Sequence, residues 1–582
     1  MKRIIMYFSI MLSVAFYFAG CESVLDISPK NIISEEAVKN DPALVDAFLT
    51  KIYNQTRFQS GTRQGRNYAG ANTERFSACL AVVGGEINVF APWQEPWQAA
   101  VRIINENGAH GALEYWPYDN IRSANEILQI LEEATFDPAM VRQKSAEARW
   151  LRAFMYFELV KRYGGVPLIL EAQSIDQPME ELYIPRSPEK AIYDFIASEM
   201  DALVQILPST YSADDFGRPT RWAAYALKSR AMLYAASIAK YGSVQLNGLL
   251  GIPQGEANAY YQKAYDAALK IINESPHLLY RQNPDPMRNY GEIFLRDRNS
   301  EIIFAEVYDV SLLKSHSWSF VSMPDAFAVA GGSNHRVYIE TFERYEYNDG
   351  TPGTLDYSQL NGSVKFSLEE LVLRKDPRFL ASAFHPETHW QDGVVYIHSA
   401  IAGDVPPGWS ARGNPRDINS TGFMVRKRVD EAVKEPLLAM DDSDWIVFRT
   451  AEMYLNAAEA AFERGETEEA KRLVNIIRDR AGMPPKSNLT VDDIRNERFV
   501  ELFLEEHRYW DLRRWRTAVQ ELNGKGFRGV NWTYHSAENQ YTMTLKPGDP
   551  GGIRTFAERN YYFPMGLARL GNNPALIENP GY

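Results

Sequence analysis

The chain has 582 residues, a net charge of −13 and a pI near 5.4, with 12% aromatic residues and only two cysteines. The acidic balance and the lack of a basic stripe exclude a dedicated nucleic-acid binder. One possible cysteine pair excludes a disulfide framework, and the length is ample for an ordinary hydrophobic core.

Met1, Lys2 and Arg3 open the chain, Ile4 to Phe18 is apolar apart from Ser9 and Ser13, and Ala19-Gly20-Cys21 follows. This is the layout of an export signal. The run is too short for a bilayer span, and no later segment approaches one. Phe18-Ala19-Gly20-Cys21 resembles a bacterial lipobox, with Phe18 in place of the usual leucine. Residues 1–20 are therefore expected to be a signal peptide, Cys21 the lipidated first residue, and residues 21–33 a polar tether. Acyl chains contribute about 0.8 kcal/mol per buried methylene, so two or more anchor a protein stably. Cys79, in the apolar setting Phe76-Ser77-Ala78-Cys79-Leu80, reads as a buried free thiol.

Helical patterning is predicted from Ser34 onward, with Glu35 and Glu36 suited to a helix N-terminus. Ala148, Leu151, Met155 and Leu159 form one apolar face on a helix that Gly164-Gly165 stops. Two helix pairs look like tetratricopeptide units. One joins the helix from Trp222 to about Lys240, with Ala224, Leu227, Ala231 and Ala235 on one face, to a helix from Ala257 to Glu274. The other joins a helix from about Trp445 to Arg464 to one from Glu468 to Arg480, with Ala458 and Ala470 at the tight positions. Such units present a surface and carry no chemistry of their own. A further helix is predicted from about Val491 to Trp515, where Glu501 and Glu505 are placed to pair with Arg508.

Between about Asn283 and Asp441 the periodicity fades and Gly, Pro, Asn and aromatic residues take over. Runs such as Glu301-Ile302-Ile303-Phe304-Ala305-Glu306-Val307 suggest isolated strands. Loops this long are usually functional. The predicted fold is mainly α, a tetratricopeptide-like helical scaffold supporting an irregular, loop-rich ligand-binding half with a few short strands. Its parts are a helical region 34–282 and a C-terminal region 283–582, with the loop-rich insertion at 283–441 and helices at 445–516.

Enzyme constellations are weak. His385-Pro386-Glu387-Thr388-His389 displaces the glutamate that a zincin helix needs directly after the first histidine, and Pro386 disturbs the helix. Glu505-Glu506-His507 reads as structural ion pairing. Asp442 to Asp444 is an acidic run of the kind that is usually solvated or caps a helix. No Walker loop, G-x-S-x-G elbow or Cys-x-x-Cys pair is present, and no cofactor is expected.

Four stretches together resemble the SusD/RagB family. They are Glu147-Ala148-Arg149-Trp150 through Tyr163-Gly164-Gly165-Val166-Pro167, Glu497-Arg498 through Trp515, and Trp116-Tyr118-Ile121-Ala124-Asn125. The fourth is the ending Tyr562-Phe563-Pro564, Asn572-Asn573-Pro574 and Asn579-Pro580-Gly581-Tyr582. The resemblance implies a surface lipoprotein of the outer membrane that lies over a SusC-like, TonB-dependent transporter and delivers glycans, or in some members peptides, to it. It also implies four tetratricopeptide-like units and no enzymatic activity. A peptide receptor of the same architecture, a surface glycoside hydrolase and a purely structural lid are the alternatives.

Sugar sites need aromatic platforms with hydrogen-bond partners beside them. Trp93 and Trp97 in the proline-braced segment Phe90–Trp97, with Asn72 and Arg75 upstream, are the first candidates. The resemblance places ligand residues of starch-binding relatives roughly in this region. Trp318, Trp390 and Trp409 are further candidates, whereas Trp116, Trp150, Trp222, Trp510 and Trp515 read as helix-packing residues. The acidic net charge gives no support for a highly sulfated ligand, though it leaves room for local basic patches.

Overall fold

The computed structural model describes residues 35–59, 62–64, 72–75, 79–109, 111–174, 176–312, 314–328, 332–434 and 441–582. The signal peptide, Cys21 and the tether lie outside them, as do the side chains of Asn72 and Arg75.

The scaffold is a run of helices that pack each against the next, namely Tyr118–Glu132, Pro138–Tyr163, Glu189–Leu203, Arg221–Tyr241, Ala257–Glu274, Thr450–Glu463 and Thr467–Arg480. Helix Val491–Glu501 closes the run against Thr450–Glu463. Local chemistry sets their ends. Asp137 accepts from the Ala139 amide with Pro138 in the first turn, and Thr490 and Asp493 form a capping box. Gly164 ends its helix at φ +73°, and a Cβ there would lie 2.3 Å from Leu250. Small residues bring neighbouring helices close: Ser229 Oγ donates across to the Ala264 carbonyl at 3.0 Å. Ala458 and Ala470 are fully buried, as the repeat pattern requires. Cys79 is buried, and burial pushes its thiol well above the ordinary range.

Two predicted helices change. Trp445–Arg449 is a strand, antiparallel to Ile302–Glu306, and the helix begins at Thr450. A short apolar run fits a buried strand or a buried helix turn equally well, and the partner edge lies some 140 residues upstream. The helix expected over 491–515 divides into Val491–Glu501 and Arg508–Arg514, with Leu504 at φ +61° and Glu506 at φ +64° between them. Arg508 pairs with Glu521 at 3.0 Å, while Glu501 and Glu505 face other arginines.

Those arginines form a buried ionic network between scaffold and irregular half. Arg449 reaches Glu301 and Glu501, each at 2.7 Å, and Glu505 at 2.6 Å. Arg480 binds Glu301 at 2.9 Å and also Glu501. Arg378 binds Glu497 at 2.6 Å and Glu501 at 2.9 Å, and Lys427 binds Glu505 at 2.8 Å. The members come from two strand ends, three helices, the break before helix Arg508–Arg514 and the segment after strand Met424–Val425. Although burial alone would raise the Glu501 carboxyl, its three guanidinium partners hold it far below the usual range.

The irregular half contains two four-stranded sheets. One has the order His398–Ala402, Arg528–His535, Gln540–Pro547, Asn361–Phe366, with its first pair parallel and the rest antiparallel. The other joins Ile87–Val89, His335–Val337, Met424–Val425 and Ala383–Phe384. The second sheet ties the N-terminal region to the loop-rich insertion. Among the described residues no helix is long and apolar enough to cross a membrane.

Candidate ligand-binding surface

The segment expected to carry two tryptophan platforms divides them. Helix Glu95–Val101 starts with Pro96 in its first turn, where a missing N–H costs nothing. Trp97, inside that helix, is fully buried. Its indole N–H donates to the Gly551 carbonyl at 2.7 Å, and the Arg554 guanidinium lies 5.0 Å from its ring. Trp97 is therefore a core residue and offers no ring face to a sugar. Trp93, in the turn before the helix, is 75% exposed. An apolar side chain of that size left in water is the informative kind of exception.

Its surroundings are polar and built from distant segments. Gln94 Nε2 donates to Asn334 Oδ1 at 3.2 Å. The Phe90 ring lies between the guanidinium groups of Arg336 at 4.9 Å and Arg416 at 4.8 Å. Burial pushes Arg336 down to about 10.

Trp318 and Trp390 are also buried. Trp318 Nε1 donates to the Lys427 carbonyl at 2.7 Å, beneath the ionic network. Trp390 packs edge-on against Phe384 at 4.8 Å. Its indole N–H has no acceptor, and the residue lines a cleft of about 740 Å³. Both are plugs beneath loops, so neither is an open platform.

Trp409 differs from these. It lies in the loop after strand His398–Ala402 and is partly exposed. Its ring is 4.5 Å from Tyr396, 4.5 Å from Tyr534 and 5.2 Å from His398, nearly parallel to the last. The loop is held by Gly413 N–H to the His398 carbonyl at 3.1 Å, and by His398 Nε2 against the Ser410 carbonyl at 3.1 Å. Burial lowers the His398 pKa, which keeps that ring neutral at pH 7. Arg412 Nε, exposed beside it, donates to the Ser399 carbonyl at 2.9 Å. Arg416, further along the same chain segment, reaches Phe90 next to the Trp93 turn. Residues 403–418 thus connect the two exposed tryptophans.

Tyr396 and Tyr534 were not among the sequence candidates. Arg528–His535 is a strand with alternating burial, and neither it nor its parallel pairing with His398–Ala402 was among the elements expected from the sequence. His385 to Glu387 form the turn between strands Ala383–Phe384 and Thr388–Trp390, and His389 lies within the second. His385 is buried, with burial pushing it down to about 4, and Glu387, at φ +61°, accepts from the Tyr541 hydroxyl. Among the described residues no group of three or more His, Cys, Asp or Glu is placed to hold a metal ion. Trp150, Trp222, Trp510 and Trp515 are core residues and Trp116 is half-buried.

Comparison with known proteins gives a consistent answer. Residues 300–582 match the model of the SusD family, and residues 25–233 match a family described as starch-binding, associating with outer membrane. A SusD-like protein of Bacteroides ovatus is 24% identical over 527 residues, covering 87% of this chain and 82% of the relative. The starch-binding protein SusD of Bacteroides thetaiotaomicron is 24% identical, covering 77% of this chain and 74% of its own. A crystal structure of a SusD-like protein from Bacteroides fragilis superposes with a TM-score of 0.71 at 24% identity, over 95% of this chain and 100% of that one. That likeness shows a shared fold, with the same helical scaffold. Two family matches spread over both halves of the chain, together with this fold, place it: the chain belongs to the SusD family.

Proposed function

We propose that this chain is a cell-surface lipoprotein that captures oligosaccharides and passes them to a SusC-like, TonB-dependent transporter in the outer membrane. The observation that carries the binding step is the Trp409 platform, with Tyr396 and Tyr534 behind it. Sugar rings stack on such surfaces through their C–H faces, and Arg412 and the 403–418 loop supply hydrogen-bond donors alongside. Trp93 extends the surface on the far side of that loop. The starch-binding relative and the family described as associating with outer membrane support the same reading. The chain acts by binding and has no turnover of its own.

Trp409→Ala is expected to weaken oligosaccharide binding by about 2- to 12-fold, the worth of roughly 0.5–1.5 kcal/mol of aromatic contact, and to lower the denaturation midpoint modestly, because its ring also packs against Tyr396, Tyr534 and His398. Calorimetric titration against a panel of neutral and acidic oligosaccharides and of peptides reads this directly. Preference for peptides, or release of reducing ends by the purified protein, overturns the proposal. Anchoring is tested separately. Cys21→Ala should leave the protein unlabelled by a fatty-acid analogue and absent from the membrane fraction, and normal fractionation of that variant removes the lipid anchor from the picture.

A further inference from the structure

Beside the platform lies the cleft of about 740 Å³, between helix Pro286–Glu292, the segment Leu368–Leu373, the turn and strand at His385–Trp390 and residues 426–431. Its acidic and basic walls differ in how far their hydrogen-bonding capacity is used. Glu292 accepts from Tyr280 Oη and Asn283 Nδ2, each at 2.9 Å. Glu387 accepts from Tyr541, Asp430 from the Ala432 amide at 2.8 Å, and Glu431 from the Gln391 amide at 2.9 Å. Every carboxylate of the cleft is already engaged by a donor of the fold.

The guanidinium groups are not. Arg426, stacked 5.3 Å over the Trp390 ring, places one side-chain hydrogen bond, from Nη1 to the Leu380 carbonyl at 3.3 Å. Among the described residues Arg288 reaches only Asp285 of its own helix turn, at 3.7 Å, and its side chain is 74% exposed. Arg428, with φ +65°, lies 3.7 Å over the Trp445 ring, and none of its three side-chain nitrogens has a hydrogen-bond partner. Burial pushes Arg428 down to about 10, against the opposing pull of the Glu505 and Glu506 charges. Burial lowers the Arg426 pKa, the Glu431 charge opposes that shift, and the charge of Arg288, on the same cleft, adds to it. The guanidinium donors of Arg426 and Arg428 are thus largely unspent and, among the described residues, stand in no ion pair with the four carboxylates of the cleft, and the indole N–H of Trp390 adds to them. Glu387 lines the cleft and accepts from the Tyr541 hydroxyl, and the Tyr541 ring lies 5.0 Å from Tyr534 of the platform, so the two surfaces adjoin.

We infer that the cleft takes the anionic group of an oligosaccharide, a uronate carboxylate or a sulfate ester, between Arg288 and Arg426, while neutral rings of the same chain lie on Trp409. The inference rests on the oligosaccharide-capture reading and assigns it a ligand class. Arg428 adds fixed positive charge to the back wall, and the apolar side chains of Leu295 and Leu373 meet the sugar ring.

The test is calorimetric titration of the full chain with three probes: a tetrameric oligouronide, its carboxyl-reduced neutral counterpart and a sulfated oligosaccharide. The acidic probes are expected to bind about tenfold or more tightly than the neutral one, as charge-assisted hydrogen bonds imply. Arg288→Glu, at an exposed position where folding is not at stake, should erase that advantage. Arg426→Gln should act in the same direction. Preference for the uronide or for the sulfated probe identifies the source of the anion, and either supports the inference. Equal affinity for the uronide and its reduced form, or no effect of Arg288→Glu, overturns it. Neutral binding that depends on Trp409 but gains nothing from acid sinks this inference alone. No oligosaccharide binding by any probe sinks the capture reading with it.

Discussion

Glu501→Ala is expected to destabilise the protein by about 3–5 kcal/mol, the usual cost of removing one partner from a buried ionic cluster. Glu501 is fully buried and accepts from Arg378, Arg449 and Arg480. Its removal leaves three buried guanidinium groups each short of a partner, and Glu301, Glu497 and Glu505 compensate only in part. The same chemistry predicts acid sensitivity. Glu459, held by Arg514 and Arg498 and by Trp515 Nε1, is lowered from 4.5 to about 2 despite its burial. A carboxylate depressed on folding stabilises fully above its unfolded pKa and loses that contribution as pH falls through the folded value. For Glu459 the window runs from about pH 4.5 down to about 2, and 2.5 units at 1.36 kcal/mol each amount to about 3 kcal/mol. Glu501 shifts in the same direction. Denaturant unfolding at pH 7, 4.5 and 3 should show a falling midpoint for the wild type and a smaller fall for Glu501→Ala. A wild-type midpoint at pH 7 retained by the variant would mean the network contributes no net stability.

Trp97→Ala is expected to cost roughly 3–5 kcal/mol, as large-to-small changes of buried tryptophan do. Four residues away, Trp93→Ala should change stability by less than about 0.5 kcal/mol, the ordinary range for exposed positions. Trp97 fastens helix Glu95–Val101 to the segment around Gly551 and Arg554 through its ring and its N–H. Its truncation opens a cavity and leaves the Gly551 carbonyl without its donor. Paired denaturation curves for the two variants decide the matter, and equal effects would contradict the turn-then-helix geometry of residues 90–101.

That pair shows how far the sequence reaches. The helices Arg221–Tyr241, Ala257–Glu274 and Thr467–Arg480 were legible because a 3.6-residue apolar period, capping residues and a stopping glycine are all local. Small residues at Ala264, Ala458 and Ala470 signalled close helix packing for the same reason. The motifs resembling the SusD/RagB family were legible too, since they are short and contiguous. Trp409 was a candidate from its setting alone, a tryptophan in a Gly/Pro-rich loop.

What lay beyond the sequence was every property set by a partner far along the chain. Trp445–Arg449 is a strand because Ile302–Glu306 offers an edge, and the helix after Glu501 breaks where Glu505 turns to Arg449 and Lys427. Trp97 and Trp93 read alike until the chain around residue 551 covers one and leaves the other in water. Tyr534 reaches Trp409 only through a parallel strand pairing across more than 130 residues. Arg288 and Arg426 share a cleft by the packing of helix Pro286–Glu292 against Pro377–Ser382. Local periodicity and capping determined the helical scaffold. Which aromatic rings stay open, and which charges find partners, was decided by long-range packing, because burial and pairing are properties of two surfaces meeting and a sequence states only one of them at a time.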